Sequence, residues 1–193
     1  QVAWLTYQAA NFFANGTPPK RLGAAHPNLV PYQAFMCQDN KYLNLAVGSE
    51  RIWERFCEGM GMPELRENPD YRTNVERAQN RAKIVPYLQE IFIKRPVGHW
   101  VEKLQSVSVP CGPINDLEDV FSDPQLLSRE MFVEMTHPTL GNIKQTGLPL
   151  KFSRTPGGLD RPPPLLGEHN YEVLKEIGFS TTEIEEMKAQ DVI

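Results

Sequence analysis

The run GAAHPNLVPYQAF at positions 23–35 sets a glycine, two alanines and a histidine together, fences them with Pro27 and Pro31, and continues into Tyr32 and Phe35. Small side chains allow another surface to approach the backbone closely, and prolines hold the approach rigid. The stretch therefore reads as a loop built to meet something, either a substrate or a neighbouring strand. The other reactive side chains are dispersed. Cys37, Cys57 and Cys111 are odd in number and show no C-x-x-C spacing, as expected of reduced thiols. His26, His99, His137 and His169 include no pair at i,i+4, so no metal site is expected. Cys111 lies in VPCGPIN, whose two prolines and glycine read as a structural turn. No neighbour in that segment is basic enough to lower the thiol pKa for nucleophilic work.

Stepping outward, the elements that must position this loop can be read from periodicity. The chain has 193 residues, enough for one largish domain or one and a fraction. Val2, Leu5, Ala9, Phe12 and Phe13 share a helical face that ends at Asn15-Gly16, but the helix begins without a cap or a first-turn acid. It reads as the continuation of a helix that starts elsewhere. Residues 32–37 and 41–47 alternate as a hairpin around Gln38-Asp39-Asn40. Ser49 caps a helix carrying Ile52, Trp53, Phe56 and Met60, and a longer helical region runs from about Asn74 to Lys94 with a bend or break near Pro86. Residues 97–105 form a short amphipathic helix, and 116–121 and 124–129 form helical turns. Trp53, Trp100 and the methionines at helical spacing are core candidates. Segment 130–156 reads as strands and connectors, a proline-rich traverse follows, and two helices close the chain, the second with the S-x-x-E capping box Ser180/Glu183.

Composition narrows the partners. A net charge of −4 without a Lys/Arg-rich run argues against nucleic acid. The apolar stretches fall far short of the ~20 residues of a membrane span, and the start has neither the basic region nor the cleavage site of a secretory signal. The expected fold class is α+β: a linker and helix at 1–29, a small α+β domain at 30–125, and a return segment at 126–193 containing strands, a proline strap and the C-terminal helices.

Four motifs in series, AAHPNLVPYQAF, RTNVERAQNR, VPCGPINDLEDVFSDPQ and PPPLLGEH, resemble the C-terminal half of the family III CoA-transferases, the CaiB–BaiF class that also includes formyl-CoA transferase-like and α-methylacyl-CoA racemase-like proteins. The resemblance covers essentially the whole chain. It implies a small domain and a return segment that pack on a Rossmann-like large domain preceding Gln1, in an interlocked homodimer. It also implies an enzyme that takes coenzyme A and acyl-CoA as substrates, with a carboxylic acid acceptor and no covalently bound cofactor, and the three reduced thiols place it in a cytoplasmic compartment. In such transferases an aspartate attacks the acyl-CoA, giving an anhydride and then an aspartyl-CoA thioester. That aspartate is expected upstream of Gln1, so no catalytic residue is expected in this chain and residues 1–193 alone should not turn over.

By the same resemblance, Gly23, Ala24, Ala25, His26, Pro27 and Asn28 stand where the formyl-CoA transferase branch places a glycine run over the reacting thioester. Small side chains and backbone N–H groups there would stabilise a developing oxyanion, and His26 could donate a hydrogen bond. The alternative is a domain connector with His26 satisfied by backbone. Arg72, Arg77 and Arg81 could bind CoA phosphates, although bracing or solvated roles fit them better. Two other readings stand beside the transferase: a racemase working on the α-carbon of a 2-methylacyl-CoA, and a non-catalytic assembly module.

Overall fold

In a computed structural model that describes residues 1–193, the chain divides into two units, Gln1–Asn115 and Asp116–Ile193. The first opens with a single 3-10 turn and α1 (Thr6–Asn15), which stops where Gly16 enters the left-handed region at φ 69° and its N–H bonds the Phe12 carbonyl. No residue of this helix is buried.

β1 (Tyr32–Met36) and β2 (Tyr42–Ala46) pair antiparallel in the hairpin that alternation predicts, from Tyr32 opposite Ala46 to Met36 opposite Tyr42. Asn40, at φ 59°, supplies the left-handed residue of the connection. Phe35, Leu43 and Leu45 face inward from the sheet. α2 (Glu50–Met60) starts at Ser49, whose hydroxyl accepts the Ile52 N–H, and buries Trp53, Phe56, Cys57 and Met60 at helical spacing. α3 (Pro63–Glu67) begins on a proline at its first position.

The region 74–94 departs from expectation. It is two helices, α4 (Asn74–Gln79) and α5 (Arg81–Phe92), and the break falls at Asn80 while Pro86 sits inside α5. The cause is local: the Asn80 side-chain amide donates to the Glu76 and Asp70 carbonyls and draws the backbone out of helical geometry, to φ −98° and ψ 19°. α6 (Val97–Ser106) follows, and its Trp100 indole N–H donates to the Phe92 carbonyl at 2.8 Å. VPCGPIN is a strand and not the expected turn. β3 (Cys111–Ile114) pairs antiparallel with β2, making a sheet of order β1-β2-β3. Pro113 is tolerated because β3 is an edge strand and one of its faces needs no ladder donor.

The core lies between this sheet and α2, α5 and α6. Phe92 is central, with its ring 4.9 Å from Phe35 and 5.2 Å from Trp100 by centroid, and Ile84, Leu88 and Leu104 complete the packing.

The second unit contains α7 (Leu117–Ser122), α8 (Pro124–Ser128), a hairpin of β4 (Phe132–His137) and β5 (Gly141–Thr146), an irregular proline-rich stretch, and α9 (Asn170–Glu176) and α10 (Thr181–Ala189). The Ser180/Glu183 capping box is present at α10. Ile184, His137 and Gly147 are the buried residues here, and Ile184 is the one apolar side chain among them. His137 is fully used: its Nδ1 accepts the Thr139 and Leu140 N–H groups at the hairpin turn, and its Nε2–H donates to the Pro163 carbonyl at 3.1 Å. No helix is long and apolar enough to cross a membrane.

Candidate functional site

Loop 23–28 leads into β1, and its backbone is held on two sides. The His26 N–H donates to the Tyr32 carbonyl at 2.9 Å, so the loop docks against the outer edge of the strand that follows it. From the other side α4 and α5 take its carbonyls. Arg81 Nη2 donates to the His26 and Pro27 carbonyls at 2.7 and 3.0 Å, and Asn74 Nδ2 donates to the Asn28 carbonyl at 2.7 Å. Asn74 Oδ1 accepts the Val30 N–H, and Arg77 Nε donates to the Val30 carbonyl at 2.7 Å. Residues 74 and 77 lie on α4 and residue 81 opens α5, so the α4–α5 junction brings all three side chains to the loop.

Arg77 has no exposed surface. Its guanidinium lies 4.6 Å over the Trp53 ring and also donates to the Glu50 carboxylate and the Tyr71 and Arg72 carbonyls. Burial pulls its pKa down from the ordinary arginine value, and Glu50 opposes that shift. Burial likewise lowers Arg81. Glu50 Oε1 accepts the Asn74 N–H at 2.8 Å, which joins the starts of α2 and α4 to the loop.

The His26 ring is oriented from within the loop. Its Nδ1 accepts the N–H groups of Asn28 and Leu29 at 3.0 and 3.1 Å. An Nδ1 that accepts cannot carry the proton, so the proton sits on Nε2. His137 shows the same two-amide arrangement, but there Nε2–H is consumed by a carbonyl. At His26 no group takes it. With Ala25 N–H bonded to the Leu22 carbonyl, the amides of residues 25–30 are all engaged or, at Pro27, absent. The donors left are therefore the amides of Gly23 and Ala24 and the His26 Nε2–H.

An open cavity of about 370 Å³ is lined by Gly23, Ala24, Ala25, His26, Pro27, Tyr32 and Asn44. A second, of about 460 Å³, is lined by Trp4, Tyr7 and Asn11 on one side and by His26 through Leu29 on the other. His26 borders both. All six residues of the predicted loop thus line one cavity or the other, and Tyr32 and Asn44 join them from the sheet.

The family model for CoA-transferase family III matches residues 1–170. The chain belongs to CoA-transferase family III. Among curated relatives it is similar to the human succinyl-CoA:glutarate CoA-transferase, with 38% identity over 92% of this chain and 40% of that protein. It is also similar to the succinate–glutarate CoA-transferase of Agrobacterium fabrum, at 33% over 92% of this chain and 44% of that one. A CaiB/BaiF family protein from Brucella suis superposes with a TM-score of 0.74 and 33% identity, covering 90% of this chain and 44% of its own. The chain spans about two-fifths of the length of these relatives.

Two groups that the family motifs contain behave differently from the loop. Cys111, within VPCGPIN, is half-buried beside the Val101 carbonyl, and burial pushes its thiol pKa up, opposite to what a nucleophile needs. In RTNVERAQNR, Arg77 and Arg81 brace the loop, while Arg72 is exposed near Glu76 at 3.8 Å. Sequence reasoning singled out these arginines but not Asn74, Tyr32 or Asn44 as neighbours of the loop. The signal for Asn74 was its place one helical turn before Arg77 in the same motif.

Proposed function

We propose that this chain is part of an acyl-CoA:carboxylate CoA-transferase whose donor and acceptor are small dicarboxylic acids. The observation that carries this reading is the 38% identity, over 92% of the chain, to a protein named for succinyl-CoA and glutarate. In the reading, an aspartate on chain preceding Gln1 attacks the thioester carbonyl. The C–S bond breaks, CoA leaves as thiolate, and an acyl-aspartyl anhydride remains. The thiolate then attacks the aspartyl carbonyl, expels the acyl group as a free carboxylate and forms the aspartyl-CoA thioester. The acceptor carboxylate runs the same two steps in reverse. Loop 23–28 faces the reacting thioester, where the His26 Nε2–H and the Gly23 and Ala24 amides meet the oxygen on which negative charge develops. The Rossmann-like large domain, the interlocked homodimer and the inactivity of residues 1–193 alone belong to the same reading.

The test uses the full-length protein with succinyl-CoA and glutarate, resolving the CoA esters by mass spectrometry. Glutaryl-CoA and succinate should appear in equal amounts. Replacing the donor in His26→Ala should lower kcat about a hundredfold, as for loss of one oxyanion donor. Absence of CoA exchange across a panel of dicarboxylates would overturn the assignment. Exchange of the α-hydrogen of a 2-methylacyl-CoA into D2O without CoA transfer would assign a racemase instead.

A further inference from the structure

We propose that Asn74 and Arg81 are positioning residues that hold loop 26–30 so that His26 presents its Nε2–H to the cavity. This rests on the reading that the loop faces substrate. Three observations carry it. First, the loop has little packing of its own: residues 23–29 are exposed or half-buried, and only Val30 and Pro31 are buried. Its place is therefore set by polar contacts. Second, those contacts converge from the adjoining starts of α4 and α5 on the carbonyls of His26, Pro27 and Asn28, all between 2.7 and 3.0 Å. With its carbonyls drawn toward α4 and α5, the backbone turns the Asn28 and Leu29 amides onto His26 Nδ1, and those amides fix both the ring and its tautomer. Third, Arg81 shows no other use: it makes no ion pair, its two contacts are both loop carbonyls, and its remaining Nη1 is buried without a partner. A guanidinium kept there against desolvation serves the loop.

The chain of action runs from Arg81 and Asn74 through the loop carbonyls to the His26 ring. It sets a preorganised donor, which needs no rearrangement when charge develops. A glycine-rich loop in this position could move freely; this one is tied down.

The experiment uses the full-length protein and two readouts. Amide hydrogen exchange by mass spectrometry follows segment 24–30 in wild type, Arg81→Ala and Asn74→Ala. Steady-state kinetics follow the same variants alone and combined with His26→Ala. Either single variant should speed exchange of segment 24–30 about tenfold, leave α2 and α6 protected, and lower kcat about tenfold with little change in KM. Combined with His26→Ala, neither should cause a further loss, because residues that act through one group are not additive. Arg81→Lys, which keeps one carbonyl bond, should recover part of the protection. Unchanged exchange in both variants, or losses that add to that of His26→Ala, would overturn the proposal. A wild-type protein that transfers no CoA would sink the transferase reading, and the exchange data would still decide whether Asn74 and Arg81 hold the loop.

Discussion

Arg77 is a charged group with no exposed surface, held in place by five acceptors or rings at once. Its removal strands the Val30, Tyr71 and Arg72 carbonyls together, so Arg77→Ala should cost about 3–5 kcal/mol in urea unfolding. Arg77→Lys should restore little, because a single ammonium cannot reproduce the fork that serves Val30 on one side and residues 71–72 on the other. Glu50→Gln should cost under about 1 kcal/mol, since that carboxylate is half exposed. A midpoint for Arg77→Ala within error of wild type would contradict this account. The cysteines give a second residue-scale outcome. Burial pushes the Cys57 thiol up to about 12 and Cys37 to about 11, and raises Cys111 as well. At pH 8 the native chain should resist alkylation by iodoacetamide and react at all three positions only on unfolding; rapid labelling of Cys111 in the native state would count against it.

At the scale of elements, α4 depends on a cap. The Thr73 hydroxyl accepts the Glu76 N–H, and the Glu76 carboxylate accepts the Thr73 N–H at 2.7 Å. Thr73→Ala should cost about 1 kcal/mol and, because α4 carries Asn74, should also loosen the loop. The Thr73 N–H holds the Glu76 carboxyl below its ordinary 4.5. A depressed folded pKa means the stabilisation is present above that value and is lost as pH falls through the lower folded one. Acid unfolding should therefore be shallower in Glu76→Gln than in wild type below about pH 4.5, measured by circular dichroism.

Elements of this kind were legible to different degrees. The first hairpin, α2 and the capping box of α10 all rest on contacts within a few residues, which periodicity and caps report directly. β3 was hidden because Gly112 and Pro113 make up half of it and Pro110 stands just before it, and only its pairing with β2 as an edge strand explains why they are tolerated. The break at Asn80 was hidden behind Pro86, the louder local signal. At the site, the loop itself was legible from its small residues. The side chains that hold it lie 44 to 55 positions away, as Asn74 to Val30 and Arg81 to His26, and no local pattern spans that distance.

At the scale of the whole chain, apolar burial is concentrated in one unit. Every member of the core cluster lies between Val30 and Val109, whereas Ile184 is the one apolar side chain that the second unit buries. Stability follows buried apolar area, so the second unit should open first. In native-state hydrogen exchange of this chain, amides of β4, β5 and α9 should exchange well before those of α2, α5 and α6. Uniform protection across both units would show that the second draws stability from something other than its own core.

One feature of the three-stranded sheet bears on behaviour in concentrated solution. β1 is an edge strand, and its outward-facing backbone groups belong to Tyr32, Ala34 and Met36. The Gln89 side-chain amide accepts the Met36 N–H and donates to the Met36 carbonyl, while the His26 N–H covers the Tyr32 carbonyl. A single glutamine thus imitates a neighbouring strand and leaves Ala34 as the only outward position between the two covered ends. A foreign strand that tried to zip onto this edge would find too short a run of free groups to grip. By this geometry Gln89 shortens the stretch of the β1 edge open to strand addition, separately from anything the loop does with a substrate.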